Sequence, residues 1–140
     1  MPVVLVDASA LVALLDRRDA HHEACVEALE EITDPLVTVL PALTEAAHLL
    51  TDSPRGVDAI FDMVEDDAID VAPIEEVDLR RMKALMRKYR DLPMDFTDAA
   101  LVRVAEREKV NRILSFDAHF DVYALPSRTR FVRLPRPKTR

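Results

Sequence analysis

The chain has 140 residues, 49% of them hydrophobic, which suits one globular domain over 1–140 with a sizeable core. A single glycine, Gly56, argues against a glycine-rich phosphate loop and hence against ATP or NAD, while a single cysteine, Cys25, rules out an intrachain disulfide and a cysteine zinc cluster. The net charge of −7 is uneven: residues 126–140 hold six basic residues and no acid, so the first 125 carry 13 basic against all 26 acidic residues.

Taken in chain order, "VVLV" (3–6) is β-branched and short, and reads as a strand. The opening "MPVVLVDAS" has neither the basic segment nor the long apolar core of a signal peptide. No apolar run approaches the ~20 residues of a membrane span, so the expected location is cytoplasmic. Helical spacing follows over 9–17 and 21–32, then a second strand over 36–40. Pro41 suits the first turn of a helix over 41–50. Helices over 55–66 and 75–90 flank a third strand over 69–72. A helix over 97–109, with Ala100, Leu101, Val104 and Ala105 on one apolar face, feeds a fourth strand over 112–116. A fifth strand over 130–134 lies inside the basic segment of Arg128, Arg130, Arg133, Arg136, Lys138 and Arg140. That segment reads either as a contact for nucleic acid or an acidic partner, or as a solvated terminus. Strands alternating with helices imply an α/β fold with a central, mostly parallel sheet covered on both faces.

This architecture gives four acids a common place. Ligands bind at the rim formed by the strands' C-terminal ends. Asp7 ends the first strand and Asp117 follows the fourth. Glu45 lies early in an otherwise apolar helix, and Asp98 sits in the first turn of a helix whose N-terminus faces the same rim. Each has a local explanation: Asp95 and Asp98 form a capping arrangement, and Glu45 shares a polar stripe with Thr44 and His48. Together they form a crowd of like charges that a cation would neutralise, and an all-oxygen set points to Mg²⁺ or Mn²⁺. His21, His22, His48 and His119 show no metal-ligand spacing.

With these segments in view, "VVLVDASALVALL", "LTEAAHLL", "PMDFTDAALVRVAE" and "RILSFDAHFDVY" resemble the PIN domain, in particular the small VapC-type toxins, over essentially the whole chain. The resemblance implies a metal-dependent endoribonuclease with a three-layer α/β/α fold, a homodimer, and an antitoxin protein as partner. It also carries over an acidic quartet of Asp7, Glu45, Asp98 and Asp117, with Asp95 in the outer shell or capping. Ser115 stands where the family commonly has threonine, and keeps the hydroxyl. Asp7 and Asp98 are then the main metal ligands, with Asp117 and Glu45 completing the site and Ser9 and Ser115 orienting it. For RNA phosphates the candidates are Arg17, Arg18 and the segment 80–90 with Arg80, Arg81, Arg87 and Lys88; the same segment is equally a helix with a solvated basic side. Met82, Leu85 and Met86 suit internal packing or a partner groove. An aspartate-nucleophile phosphatase would also place an acid after the first strand, but it wants a second Asp where Ser9 stands. A non-catalytic PIN-like protein- or RNA-binding scaffold is the alternative to the enzyme, and its mark would be a lost acid.

Overall fold

The computed structural model describes residues 2–137, so Lys138 and Arg140 of the basic segment lie outside the described residues. Five short strands form one sheet: β1 (Val4–Val6), β2 (Leu36–Val39), β3 (Asp70–Ala72), β4 (Arg112–Leu114) and β5 (Val132–Leu134). Their order is β3-β2-β1-β4-β5, and all four pairings are parallel, with Leu5 beside both Val37 and Ile113, and Ile113 beside Arg133. Strand β1 is central and buried throughout because both sides of the sheet are covered. Leu5 points into one core and Val4 and Val6 into the other, the period-two alternation of a strand.

Among the described residues six α-helices make the outer layers: α1 (Ala8–Leu15), α2 (His22–Glu31), α3 (Leu40–Leu49), α4 (Gly56–Glu65), α5 (Glu76–Lys88) and α6 (Phe96–Glu108). The first four supply Leu11, Cys25, Ala46 and Ile60 to one core; α5 and α6 supply Met82, Leu85, Leu101 and Val104 to the other. Burying each large aliphatic chain of α6 contributes about 1.5–3 kcal/mol, which fixes the helix against the sheet. Among the described residues no helix is long and apolar enough to cross a membrane.

Two features of this layout position the site. Strand order reverses between β1 and β4, so the ends of these neighbours open the crevice where parallel sheets bind ligands. In addition, α5 and α6 lie side by side and antiparallel, since Asp78 near the start of α5 meets Arg103 and Arg107 late in α6. The N-terminus of α6 is thereby held at the rim and the start of α5 at the opposite end.

Candidate metal centre

Asp7 leaves the end of β1 as the N-cap of α1, and its burial is nearly complete. One carboxylate oxygen accepts from the Ala10 amide at 3.0 Å and the Ser9 hydroxyl at 2.7 Å; the other accepts from the Ser115 hydroxyl. Ser115 and Ser9 are themselves held across the switch point. The Asp117 amide donates to the Ser115 hydroxyl oxygen, and the Phe116 amide to that of Ser9, both at 3.0 Å. Asp7 is therefore locked in orientation by donors from both sides of the crevice.

Asp98 arrives from the other core. Asp95 is the N-cap of α6, with its carboxylate accepting from the Asp98 amide at 2.7 Å while Asp98 reaches back to the Asp95 amide at 3.4 Å. Tyr123, fully buried, donates its hydroxyl to Asp98 Oδ2 at 3.0 Å. Both of those protein donors fall on Oδ2, and Oδ1 has no hydrogen-bond donor among the described residues. Tyr123 is steadied by Tyr89, whose hydroxyl accepts from the Ala124 amide at 2.9 Å and whose ring meets it edge-on. Asp117 follows β4 at the head of a 3₁₀ turn (Ala118–Asp121), where it accepts from the His119 amide at 2.9 Å and contacts the His119 ring at 3.1 Å.

Electrostatics join these groups. Burial pushes Asp98 up to about 7, and the charges of Asp95 and Asp117 add to that, against the lowering effect of the Tyr123 hydroxyl. Burial likewise raises Asp7, with Asp117 contributing, and raises Glu45, which feels Asp95, Asp7 and Asp117. Five carboxylates thus share one field, and among the described residues no lysine or arginine ion-pairs with any of them. Ligand atoms of Asp98, Asp117 and His119 lie within 4.8 Å of one another. The carboxylates fit a hard divalent cation, with oxygen donors, excess negative charge and burial that penalises the charged form, and His119 adds one nitrogen beside them.

The structure brings Asp7, Glu45, Asp98 and Asp117 to one rim, with Ser9 and Ser115 on Asp7 and Asp95 as a cap. His119, which shows no metal-ligand spacing in the sequence, is folded back beside Asp117 by the 3₁₀ turn. Tyr123 and Arg133 were not identified from sequence. The basic residues separate. Arg81 makes a two-pronged pair with Glu106 at 2.9 and 2.7 Å, and Arg80 pairs with Glu76. Glu106 lies eight residues beyond Asp98 on α6, about 12 Å along the axis, so placing Arg80 and Arg81 at the acidic rim is corrected. Arg87 and Lys88 are exposed at the end of α5 that leads to Tyr89, the rim side. Arg17 and Arg18 are exposed past the end of α1, with Arg18 paired to Asp16. Met82 and Leu85 are buried in the core, and Met86 packs against it.

Residues 4–125 match the PIN domain family. A ribonuclease of Mycobacterium tuberculosis named VapC26 is 28% identical over 136 residues, covering 94% of this chain and 100% of that protein. Among solved structures, the fold is similar to that of M. tuberculosis VapC20, described as a sarcin–ricin loop cleaving toxin, with a TM-score of 0.80 and 18% identity over 85% of this chain and 93% of that one. It is also similar to a chain of a toxin–antitoxin complex from Klebsiella pneumoniae, with a TM-score of 0.61 and 14% identity over 82% of this chain and 87% of that one.

Proposed function

The chain belongs to the PIN domain family, in its VapC branch, and from that premise we propose that it is a Mg²⁺- or Mn²⁺-dependent endoribonuclease, the toxin of a toxin–antitoxin pair. The observation that carries this reading is the crowd of carboxylates from four separated segments at the β1/β4 switch point, with which no lysine or arginine among the described residues forms an ion pair.

In this reading Asp7 and Asp98 hold the ion and Asp117 and Glu45 complete the site; Asp98 has its ligand atoms close to those of Asp117 and His119, and Asp7 and Glu45 share their field. A bound ion supplies charge relief for phosphoryl oxygens and a more acidic water. The chain's own groups prepare that chemistry. Ser9, Ser115 and the Ala10 amide donate to both oxygens of Asp7 and so fix the plane of the carboxylate. Tyr123 and the Asp95 amide hold Asp98 through Oδ2 and leave Oδ1 for another partner. Glu45 is raised in pKa by burial and then by the charges of Asp95, Asp7 and Asp117, a cost that a bound cation would relieve. The helix N-terminus at Asp98 favours the ionised carboxylate that ligation needs.

Exposed Arg87 and Lys88, at the rim end of α5, are the candidates to meet RNA phosphates beside the acids, whereas Arg17 and Arg18 lie past the far end of α1, about 12 Å along its axis from Asp7. The antitoxin is the protein partner, a role supported by likeness to a chain of a toxin–antitoxin complex. Exposed Leu49 and Phe61, on α3 and α4, offer apolar surface for a homodimer. The test is cleavage of a structured RNA pool by the wild type, Asp7→Asn and Asp98→Asn. Cutting that is lost in both folded variants supports the assignment, and cutting retained in either refutes it.

A further inference from the structure

The segment carrying Asp117 and His119 is short, lies beyond its strand, and is bracketed by one side chain. Arg133 sits on β5 opposite Ile113 of β4. Its Nε and Nη2 donate to the two oxygens of Asp121, both at 3.0 Å, and its Nη1 donates to the Ser115 backbone oxygen at 3.3 Å. The guanidinium therefore spans from the residue two before Asp117 to the residue two after His119. Ser115 is fixed on its other sides too. Its amide donates to the Leu134 oxygen at 3.0 Å, and its hydroxyl links Asp7 to the Asp117 amide. The electrostatic reach is consistent with this placement: Asp121 raises the Arg133 pKa first through its hydrogen bond, and Asp117 and Asp7 add to the rise.

From this geometry we infer that Arg133 is a positioning residue for the metal centre: with Asp121 it clamps the turn that presents Asp117 and His119 to Asp98. The inference rests on the metal-site reading above. A structural role alone explains the arrangement poorly. Asp121 is half-exposed, and an ion pair in that setting contributes little to stability. What a planar fork on a carboxylate fixes is direction, which an ammonium does not reproduce. Charge alone is tested separately, because Arg133→Lys keeps the cation and loses the fork.

The experiment compares Mn²⁺ affinity, measured by calorimetry without RNA, in the wild type, Arg133→Lys, Asp121→Asn and the double variant Asp121→Asn/Arg133→Gln, with thermal melts alongside. The double variant removes both charges of the pair and so leaves the net charge as it was. The clamp predicts that Arg133→Lys and the double variant each lose roughly tenfold or more in affinity, the range that partners of metal ligands command. It also predicts that Asp121→Asn and the double variant lose affinity to a similar extent, because either change breaks the same fork. Melting temperatures should move little. Unchanged or tighter Mn²⁺ binding in Arg133→Lys and the double variant overturns the inference and leaves the acidic site standing. Absence of Mn²⁺ binding in the wild type overturns both.

Discussion

Replacing Asp98 by Asn should make the metal-free protein more stable. Burial and the neighbouring acids push Asp98 up to about 7 from an ordinary 3.8, so the folded chain must pay to ionise it. A raised carboxylate pKa means that the folded state holds its proton over a range where the unfolded chain has released it. The stability this confers is complete below about pH 4, is lost as pH rises through 7, and stays lost above it. Three units correspond to about 4 kcal/mol; relaxation and the charge shared with Asp95 reduce the expected gain in Asp98→Asn to about 2 kcal/mol. For a chain of this size that is roughly 6–8 °C in Tm. An asparagine oxygen still accepts from Tyr123 and from the Asp95 amide, so the cap survives. Thermal melts of both proteins in EDTA, from about pH 4 to 8, should show the two curves together at the acid end and separating towards neutrality. Saturating Mn²⁺ should then favour the wild type, because binding adds RT ln(1 + [L]/Kd) only where the site is intact. A gain independent of pH, or a variant less stable than wild type near pH 8 in EDTA, refutes the claim that these acids are uncompensated.

Tyr123→Phe removes a donor from Asp98 Oδ2 and should weaken Mn²⁺ binding about tenfold near neutral pH, with the deficit shrinking at higher pH; calorimetry at two pH values checks it. Asp78 is buried and accepts from the Glu75 amide, Arg103 and Arg107, which together hold its carboxyl below the usual range despite the opposing effect of burial. Asp78→Ala should cost about 2–4 kcal/mol in urea unfolding, because two partly buried guanidiniums lose their buried anion and are left with Glu106 and Glu108 as acidic partners. The wild-type contribution of this group is present above about pH 4 and fades as pH falls through the lowered value. The Cys25 thiol is buried against the Ala10 carbonyl and pushed up to about 11 by that burial, so a disulfide reagent should label it in urea and leave it unlabelled in the native protein.

The strands and helices were legible because each segment repeats one physical pattern. "VVLV" is apolar on both faces of a covered sheet, and the α6 segment places Leu101, Val104 and Ala105 on one buried stripe. The four acids were legible for a related reason: parallel α/β topology sends strand ends and these helix starts to one rim. What the sequence hid depends on contacts made across the fold. Nothing local in "SFDAHFD" says that a 3₁₀ turn returns His119 to Asp117, since a turn of four residues has no hydrophobic period. Tyr123 finds Asp98 across 25 positions, and Arg133 reads from sequence as one more base in a basic segment. Arg81 looked free for phosphate until the antiparallel packing of α5 on α6 supplied Glu106.

The most direct test of the account is cleavage of a structured RNA pool by purified protein freed of antitoxin, run with Mg²⁺, with Mn²⁺ and with EDTA, beside Asp7→Asn. The account predicts discrete cuts that require the metal and vanish in the variant while its fold, by circular dichroism, is retained. Cutting that persists in EDTA or in Asp7→Asn, or folded wild type that cuts nothing with either ion, would contradict it.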